Sequence, residues 1–224
     1  MMLAIIGGTS LRYADLPPLE RRTVSTPFGP AEVLCGDIHL LLRHQQGVPP
    51  HRINFRANMA ALAILGADRV ITIGSSGSLK RAIHPGSLVI PDDYISFATI
   101  PSIHDHAIEH IHPGLSQKLR EQLATIVPEA RAGGIYIQTP GPRIETIAEV
   151  QMLAGLADIV GMTVASEATL AAELGMECAG LCTVDNYANG MGGELLTFDH
   201  ILETSRQYRN RTEDLIRNII REMG

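Results

Sequence analysis

Three segments of the chain place glycines, hydroxyls or an arginine directly after an apolar run. They are Gly7-Gly8-Thr9-Ser10, Arg43-His44 and Gly74-Ser75-Ser76-Gly77. Glycine-rich turns expose backbone N–H groups and arginine offers a planar fork of donors, and both suit phosphate oxygens. Because open sheets bind ligands at the carboxyl ends of their strands, we expect these segments to converge on one anion. No GK[ST] or GxGxxG pattern accompanies them, which argues against ATP or a dinucleotide.

Three further segments carry groups suited to the rest of a ligand. Glu145 precedes an apolar helical pattern, where it is either an acid stabilised by the helix dipole or a carboxylate that accepts from a ligand N–H. Met162-Thr163 ends a strand, and Met162 fits a core position as well as a ligand contact. Asn186 ends the apolar run before it, and its amide offers both donor and acceptor to the edge of a heterocyclic base.

The sequence lacks an obvious enzyme nucleophile. There is no GxSxG elbow, no cysteine has an evident base partner, and only Lys80 and Lys118 are lysines among 18 basic residues. A site with anion donors, an amide and a carboxylate therefore fits phosphate itself as the attacking group.

Histidines and cysteines suggest other chemistry only weakly. His104, His106, His110 and His112 lie close together and invite a metal, but neither HExxH nor a cysteine accompanies them, so we predict no metal site. Cys35, Cys178 and Cys182 are predicted to be buried structural thiols, with a redox pair at Cys178 and Cys182 as the alternative.

The elements that must position these groups alternate between short β-branched runs and longer stretches of helical period, which predicts an α/β fold. Apolar runs predict strands at Leu3–Ile6, Ile38–Arg43, Arg69–Ile73, Ser87–Ile90, Gly134–Ile137, Asp158–Met162 and Glu177–Val184. Helical periodicity predicts helices at Asn54–Leu65, Leu115–Thr125, Thr146–Ala154, Ser166–Leu174 and a terminal helix with apolar stripes from Phe198 to Ile220.

Composition narrows the class of protein. The 224 residues carry a formal net charge of -6, which argues against the basic surface of a nucleic-acid-binding protein. No apolar run approaches the roughly 20 residues of a membrane-spanning helix, and the amino-terminal stretch lacks a basic leader. We therefore expect a cytoplasmic protein with neither a membrane nor a nucleic-acid partner.

Taken together, the segments IIGGTSL, STPFG, LLRH, INFRANMAAL, ITIGSSGSL, HPGSLVIPDDYI, GPRIETIAEVQML, DIVGMTVASEATLAAELGM and CTVDNYANG resemble the trimeric purine nucleoside and methylthioadenosine phosphorylase family. The resemblance covers nearly the whole chain. It implies one nucleoside phosphorylase domain over residues 1–224, a three-layer α/β/α arrangement around a mixed sheet, and a homotrimer or a dimer of trimers. The implied enzyme is a pentosyltransferase of purine salvage, with inorganic phosphate as co-substrate and no cofactor.

The same resemblance implies roles for individual residues. The phosphate site would comprise Thr9, Arg43, His44, Gly74, Ser75 and Thr163. Met162 would contact the ribose, and Glu145, Asn186 and Ala188 would face the base. Asn186, Arg43 and His44 would be the catalytic groups, with Asn186 stabilising the departing purine.

Two positions bear on the substrate. Members of the family that cleave 6-aminopurines have aspartates at the positions of Asn186 and Ala188, whereas an asparagine donates to a 6-oxo group and Glu145 accepts from N1–H. Phe198 stands where inosine-cleaving members have a histidine, and its apolar side chain favours a 5′-methylthio group. These residues favour 5′-methylthioinosine, with inosine and guanosine as further substrates.

Departures from the family pattern leave other functions open. Ser166-Glu167 replaces the usual Pro-Glu, which is expected to loosen the start of that helix. The Phe97–His112 segment is shorter than its counterpart, and His110 and Ile111 are the candidates for a residue reaching a neighbouring subunit. The alternatives are a methylthioadenosine phosphorylase, a non-catalytic purine-binding protein of the same fold, and a metal-dependent hydrolase built on the histidines.

Overall fold

A computed structural model of the protein describes residues 2–8, 19–45, 47–192, 203, 207 and 209–224. The strands in these residues are β1 Met2–Gly7, β2 Glu20–Thr26, β3 Gly29–Cys35, β4 His39–Leu42, β5 Ala67–Ser78, β6 Leu88–Ile90, β7 Asp93–Ser96, β8 Arg131–Ala132, β9 Ile135–Gln138, β10 Ile159–Gly161 and β11 Glu177–Tyr187. The α-helices are α1 Phe55–Ile64, α2 Gln117–Ile126, α3 Ile147–Leu153, α4 Val164–Glu173 and α5 Arg209–Met223.

The strands form one mixed sheet. β1 lies between β4 and β5 and is parallel to both, with Ile6 opposite Leu41 and Thr72. β5 also pairs in parallel with β11 along most of its length, and its last two residues pair antiparallel with β10. β10, β9 and β7 are parallel to one another, and a β2–β3 hairpin extends the sheet beyond β4. The carboxyl ends of β1 and β4 therefore lie side by side, next to Ile73 of β5, which continues to Ser78.

Helices cover both faces of this sheet because side chains alternate along the buried strands. Ala4 and Ile6 of β1 pack in a core with α1 and α4. Leu3 and Ile5 face the opposite way and pack in a core with α2 and α5. The three-layer α/β arrangement with a mixed sheet is the one predicted from the sequence.

The terminal helix follows its predicted apolar stripe in the part that is described. Leu215, Ile216 and Ile219 are buried in the core beneath α5. The earlier stripe positions, Phe198, Ile201 and Leu202, lie outside the described residues. Among the described residues, no helix combines the length and the apolar character needed to cross a bilayer.

Candidate active site

Gly7 and Gly8 of the first glycine-rich segment lie beside the Arg43-His44 pair. The Arg43 backbone N–H donates to the Gly7 carbonyl at 2.9 Å, which continues the β1–β4 pairing past the end of β4. A Cβ built on Gly8 would lie 3.0 Å from Nη1 of Arg43 and 3.6 Å from Nε2 of His44. Glycine at position 8 therefore makes room for both side chains at this edge of the sheet.

The turn that carries Arg43 and His44 is held by the next residue, Gln45. Its backbone adopts a left-handed conformation, with φ of 46°. Its side-chain Oε1 accepts from the Glu32 N–H at 2.8 Å, and its Nε2 donates to the Leu42 carbonyl at 3.2 Å. This amide fastens the turn to β3, so the direction of the two neighbouring side chains is set by the fold.

The guanidinium of Arg43 is largely committed to protein partners. Nε and Nη2 donate to the two carboxylate oxygens of Glu167 at 2.7 and 2.9 Å. Nη2 also donates to Thr72 Oγ1 at 2.9 Å, and Nη1 donates to the Ile73 carbonyl at 2.8 Å. Four of the five N–H bonds of an arginine are thus used, and only one, on Nη1 near Gly8, has no acceptor among the described residues. The pair of N–H donors that the sequence predicted to bind phosphate is instead hydrogen-bonded to Glu167.

A hydrogen bond at Nδ1 orients the ring of His44. Nδ1 lies 2.8 Å from the Val48 carbonyl, which can only accept, so Nδ1 carries the hydrogen. Nε2, on the other side of the ring, is the ring nitrogen that lies near Gly8.

The second glycine-rich segment turns out to be the end of a long strand. Gly74 and Ser75 lie within β5, and a Cβ on Gly74 would come within 2.8 Å of Val164. Glycine is therefore needed there so that α4 can approach β5. The exposed Ser75 hydroxyl donates to Asp185 Oδ2 across the strand pair. Burial raises the pKa of the Asp185 carboxyl, against the opposing effect of hydrogen bonds from Ser75 and Thr183.

The start of α4 is capped by side chains from β9. The buried Tyr136 hydroxyl accepts from the N–H groups of Thr163 and Val164 at 3.2 and 3.4 Å. Gln138 Oε1 accepts from the Ser166 N–H at 3.0 Å, and Gln138 Nε2 donates to the Ser166 hydroxyl at 2.6 Å. The expectation that serine loosens this helix start is therefore wrong, because Ser166 forms two buried hydrogen bonds.

Thr163 has a different environment from these capped groups. It is the N-cap residue of α4, yet its side chain makes no capping hydrogen bond. Its carbonyl accepts from the Glu167 N–H at 3.2 Å, which places Thr163 one helical turn from the partner of Arg43. The Thr163 hydroxyl is thus available to a ligand, while the Val164 and Ser166 N–H groups at the start of α4 are already used.

Glu145 and Met162 come together through the 139–145 turn. The Thr139 hydroxyl donates to Glu145 Oε1 at 2.5 Å, and the buried carboxylate is 8% exposed. Gly141 has φ of +62°, and a Cβ there would lie 2.5 Å from the Met162 sulfur. The turn therefore rests directly on Met162, and Thr139 leaves Oε2 of Glu145 for another donor.

Asn186 follows an irregularity at the end of β11. The register between β11 and β5 shifts between Val184 and Asn186, so Asp185 is an extra residue in the strand. Asn186 Nδ2 donates to the Tyr187 carbonyl at 2.8 Å and lies 3.2 Å from a Cβ built on Gly77. One amide N–H and the amide oxygen remain for a ligand. Ala188 is buried next to this group, with its Cα 3.5 Å from the same Cβ.

The segment after β11 contacts the Glu145 turn and the start of α3. Asn189 Nδ2 donates to the Glu145 carbonyl at 3.0 Å, and a Cβ on Gly190 would lie 3.0 Å from Ile147. Sequence reasoning assigned no role to six residues that orient the site: Glu167, Thr72, Asp185, Thr139, Tyr136 and Gln138. Two predicted site residues, Thr9 and Phe198, lie outside the described residues.

The histidine-rich segment is fastened to neighbouring helices. Arg56 of α1 pairs with Asp105 at 2.5 Å, and Glu173 of α4 accepts from the Ile103 N–H at 2.6 Å. His104 Nδ1 lies 3.0 Å from Glu109. Within the described part of the chain, no three histidines, cysteines or acids are grouped so that they could hold a metal ion.

The sheet order and these contacts define an α/β protein whose candidate site residues lie mostly at or just beyond the ends of β1, β4, β10 and β11. A profile of the phosphorylase superfamily matches residues 2–221. The chain therefore belongs to the phosphorylase superfamily, and the predicted family, fold and enzyme class are confirmed.

Named relatives span nearly the whole chain. A protein from Archaeoglobus fulgidus, described as a probable 6-oxopurine nucleoside phosphorylase, is 37% identical, and the match covers 99% of this chain and 97% of that protein. A probable S-methyl-5′-thioinosine phosphorylase from Methanocaldococcus jannaschii is 34% identical, over 98% of this chain and 92% of that protein. The fold also matches the methylthioadenosine phosphorylase of Schistosoma mansoni in complex with tubercidin, with a TM-score of 0.86, 22% identity, and 97% and 89% coverage.

Proposed function

We propose that the protein cleaves a 6-oxopurine nucleoside with phosphate, and that it prefers 5′-methylthioinosine over inosine and guanosine. The C1′–N9 bond breaks, its electron pair leaves with the purine, and a phosphate oxygen forms the new bond to C1′. The products are the free base and (5-methylthio)ribose 1-phosphate. Inorganic phosphate is the co-substrate and no cofactor takes part. The names of the relatives from Archaeoglobus and Methanocaldococcus support this substrate class.

The observation that carries this proposal is the pairing of Asn186 with Ala188. Asn186 keeps one N–H for the purine N7 or O6, where negative charge builds as the base leaves. A donor placed there stabilises the transition state more than the bound nucleoside, and so raises the rate. The buried methyl of Ala188 offers no acceptor for a 6-amino group. Glu145, oriented by Thr139, would accept from the N1–H of a 6-oxopurine.

The phosphate would lie beyond the ends of β1 and β4, beside Ile73 and Gly74 of β5. The Nη1 N–H of Arg43, His44, and the hydroxyls of Thr9 and Thr163 would surround it, with Ser75 beside them and Gly74 allowing α4 to come close. Held in this way, the dianion both attacks C1′ and stabilises the positive charge that develops on the ribosyl group.

Met162 would contact the ribose and Phe198 the 5′-methylthio group. Burial of that small group contributes about 1–2 kcal/mol, enough for a preference. We further propose, from the family resemblance, one domain over residues 1–224 and a cytoplasmic homotrimer that serves purine salvage. Sedimentation equilibrium would test the trimer.

The test is base release from methylthioinosine, inosine, guanosine and methylthioadenosine, each with and without phosphate. We expect phosphate-dependent release that is fastest with methylthioinosine and persists in a metal chelator. Fastest release from methylthioadenosine would overturn the interpretation of Asn186 and Ala188. Tight purine binding without phosphate-dependent product would support a non-catalytic protein, and loss of activity in chelator would support a metal-dependent enzyme.

A further inference from the structure

The partner of Arg43 lies deep in the protein. The side chains of Arg43 and Glu167 are 3% and 2% exposed, and they join the end of β4 to the first turn of α4. Both carboxylate oxygens accept from the guanidinium, at 2.7 and 2.9 Å. Two parallel hydrogen bonds of this kind fix the plane of the guanidinium as well as its position.

Thr72 of β5 adds a third anchor to the pair. Its hydroxyl accepts from Arg43 Nη2 at 2.9 Å and donates to Glu167 Oε2. Thr72 is fully buried, so water cannot replace either bond. The guanidinium cannot turn without breaking bonds to both Glu167 and Thr72.

This arrangement changes what Arg43 offers to an anion. Glu167 balances its formal charge, and the Ile73 carbonyl takes one of the two Nη1 hydrogens at 2.8 Å. What remains is a single N–H beside Gly8, whose direction is fixed by the other four bonds. Arg43 then acts on phosphate through one aimed hydrogen bond more than through net charge.

We propose that Glu167 is a positioning residue for the phosphate co-substrate and that Thr72 is its bridge. Glu167 touches no substrate, and it acts by holding the last N–H of Arg43 toward the phosphate site. This inference rests on the proposed function, because it concerns the same phosphate.

The main test is Glu167→Gln, which keeps the size of the side chain but turns one acceptor into a donor. An NH2 group facing Nη2 forces the guanidinium to rotate, so we expect KM for phosphate to rise by roughly tenfold or more. KM for the nucleoside should stay within about twofold, since no base or ribose contact changes. The rise in Tm that phosphate produces should shrink, while the rise produced by hypoxanthine should persist.

Two companion variants keep the test decisive. Thr72→Val keeps the shape of the side chain and removes only the bridge, so we expect roughly a threefold increase in the phosphate KM. If Glu167→Gln does not fold, the phosphate KM of Thr72→Val tests the proposal by itself. Glu173→Gln makes the same change on the same helix, at a residue that contacts Ser102 and Ile103, and should leave the phosphate KM unchanged.

The outcomes separate the two proposals. A wild-type protein without phosphate-dependent base release would overturn the proposed function itself. Wild-type turnover with an unchanged phosphate KM in both variants would overturn only the role of Glu167. Equal increases in both KM values would indicate general damage to the fold, and would also count against positioning.

Discussion

The amide of Asn186 has one orientation that its surroundings allow. Its neighbour within 2.8 Å is the Tyr187 carbonyl, which accepts but never donates, so the nitrogen must face it. The second N–H and the oxygen then point elsewhere. Under the proposed function, this local contact therefore decides which atoms of the amide would meet the purine.

Replacing this amide tests the leaving-group role. Asn186→Asp removes the donor and places a carboxylate near the developing negative charge, so we expect activity on inosine and methylthioinosine to fall by roughly tenfold or more. Steady-state kinetics on both nucleosides is the measurement. Methylthioadenosine, whose N7 and amino group suit an aspartate, serves as the control substrate and should not lose activity. Unchanged kinetics on inosine would remove Asn186 from this role.

Asp185 allows a prediction about pH. Burial is the main reason that its folded-state pKa lies above the ordinary value of 3.8. The folded state then binds the proton more tightly than the unfolded state, so stability falls as pH rises from about 4 through the raised folded pKa.

The variant Asp185→Asn cannot ionise and should escape this loss. Its Tm relative to the wild type should increase as pH rises above about 4, as measured by thermal unfolding in a series of buffers. Asp214→Asn, the same change at an exposed position on α5, should show no such trend. If the difference in Tm between Asp185→Asn and the wild type did not change with pH, the burial of this carboxyl would have no consequence for stability.

At the scale of elements, β9 holds the start of α4 in place. Gln138 pairs with both the N–H and the hydroxyl of Ser166, so β9 and α4 are joined by a reciprocal amide contact in the buried layer. Tyr136, two residues earlier on the same face, caps the preceding N–H groups. The position of Thr163 is thus set by a strand that supplies none of the predicted ligands.

This contact makes Ser166→Pro informative. Proline is tolerated in the first turn of a helix, so the backbone alone predicts little cost. It would, however, leave both polar atoms of the Gln138 amide without Ser166, and we expect a loss of roughly 1–3 kcal/mol in the free energy of unfolding. Chemical denaturation in the wild-type and Gln138→Leu backgrounds is the measurement. The cost should largely vanish in the Gln138→Leu background, and an equal cost in both backgrounds would refute the explanation.

Sequence patterns predicted the buried elements well and the exposed ones poorly. β1, an unbroken apolar run, was predicted to within one residue at each end, and α1 differs from its prediction only because Asn54 and Leu65 are its N-cap and C-cap. The hairpin strand β2 was not predicted, because its residues are mostly polar and exposed and it pairs at the sheet edge. β5 runs to Ser78 because the glycines and serines that predicted a turn instead pair with β11.

For the whole molecule, the three described cysteines behave as structural thiols. Cys178 and Cys182 are four residues apart on one strand, a separation of roughly 13 Å, which exceeds what a disulfide can span. The alternative of a redox pair is therefore wrong. Burial also raises the pKa of both thiols, that of Cys182 to about 12.

These thiols should report on global unfolding. A thiol reagent at neutral pH should label Cys178 and Cys182 only as fast as the protein unfolds, and should label them at once in denaturant. Peptide mass spectrometry over time is the measurement, and added reductant should leave Tm unchanged. Rapid labelling of the native protein at either site would contradict this burial.

The candidate site shows a similar division between what sequence can and cannot predict. Groups at strand ends were predicted because parallel strands bring their carboxyl ends to one edge. The groups that orient them were not, because Glu167 and Arg43 carry no mutual signal in the sequence and meet only through the stacking of α4 on β5. Even the glycine at position 74, predicted to face phosphate, serves that stacking.

The Arg43–Glu167 pair also has a consequence for folding during synthesis. Its two members are 124 positions apart, so the guanidinium cannot meet this counter-ion until most of the chain has left the ribosome. Until then Arg43 would be an unpaired cation beside apolar strands, and we expect this part of the sheet to close late. Under the proposed function, phosphate binding would then be among the last properties that the growing protein acquires.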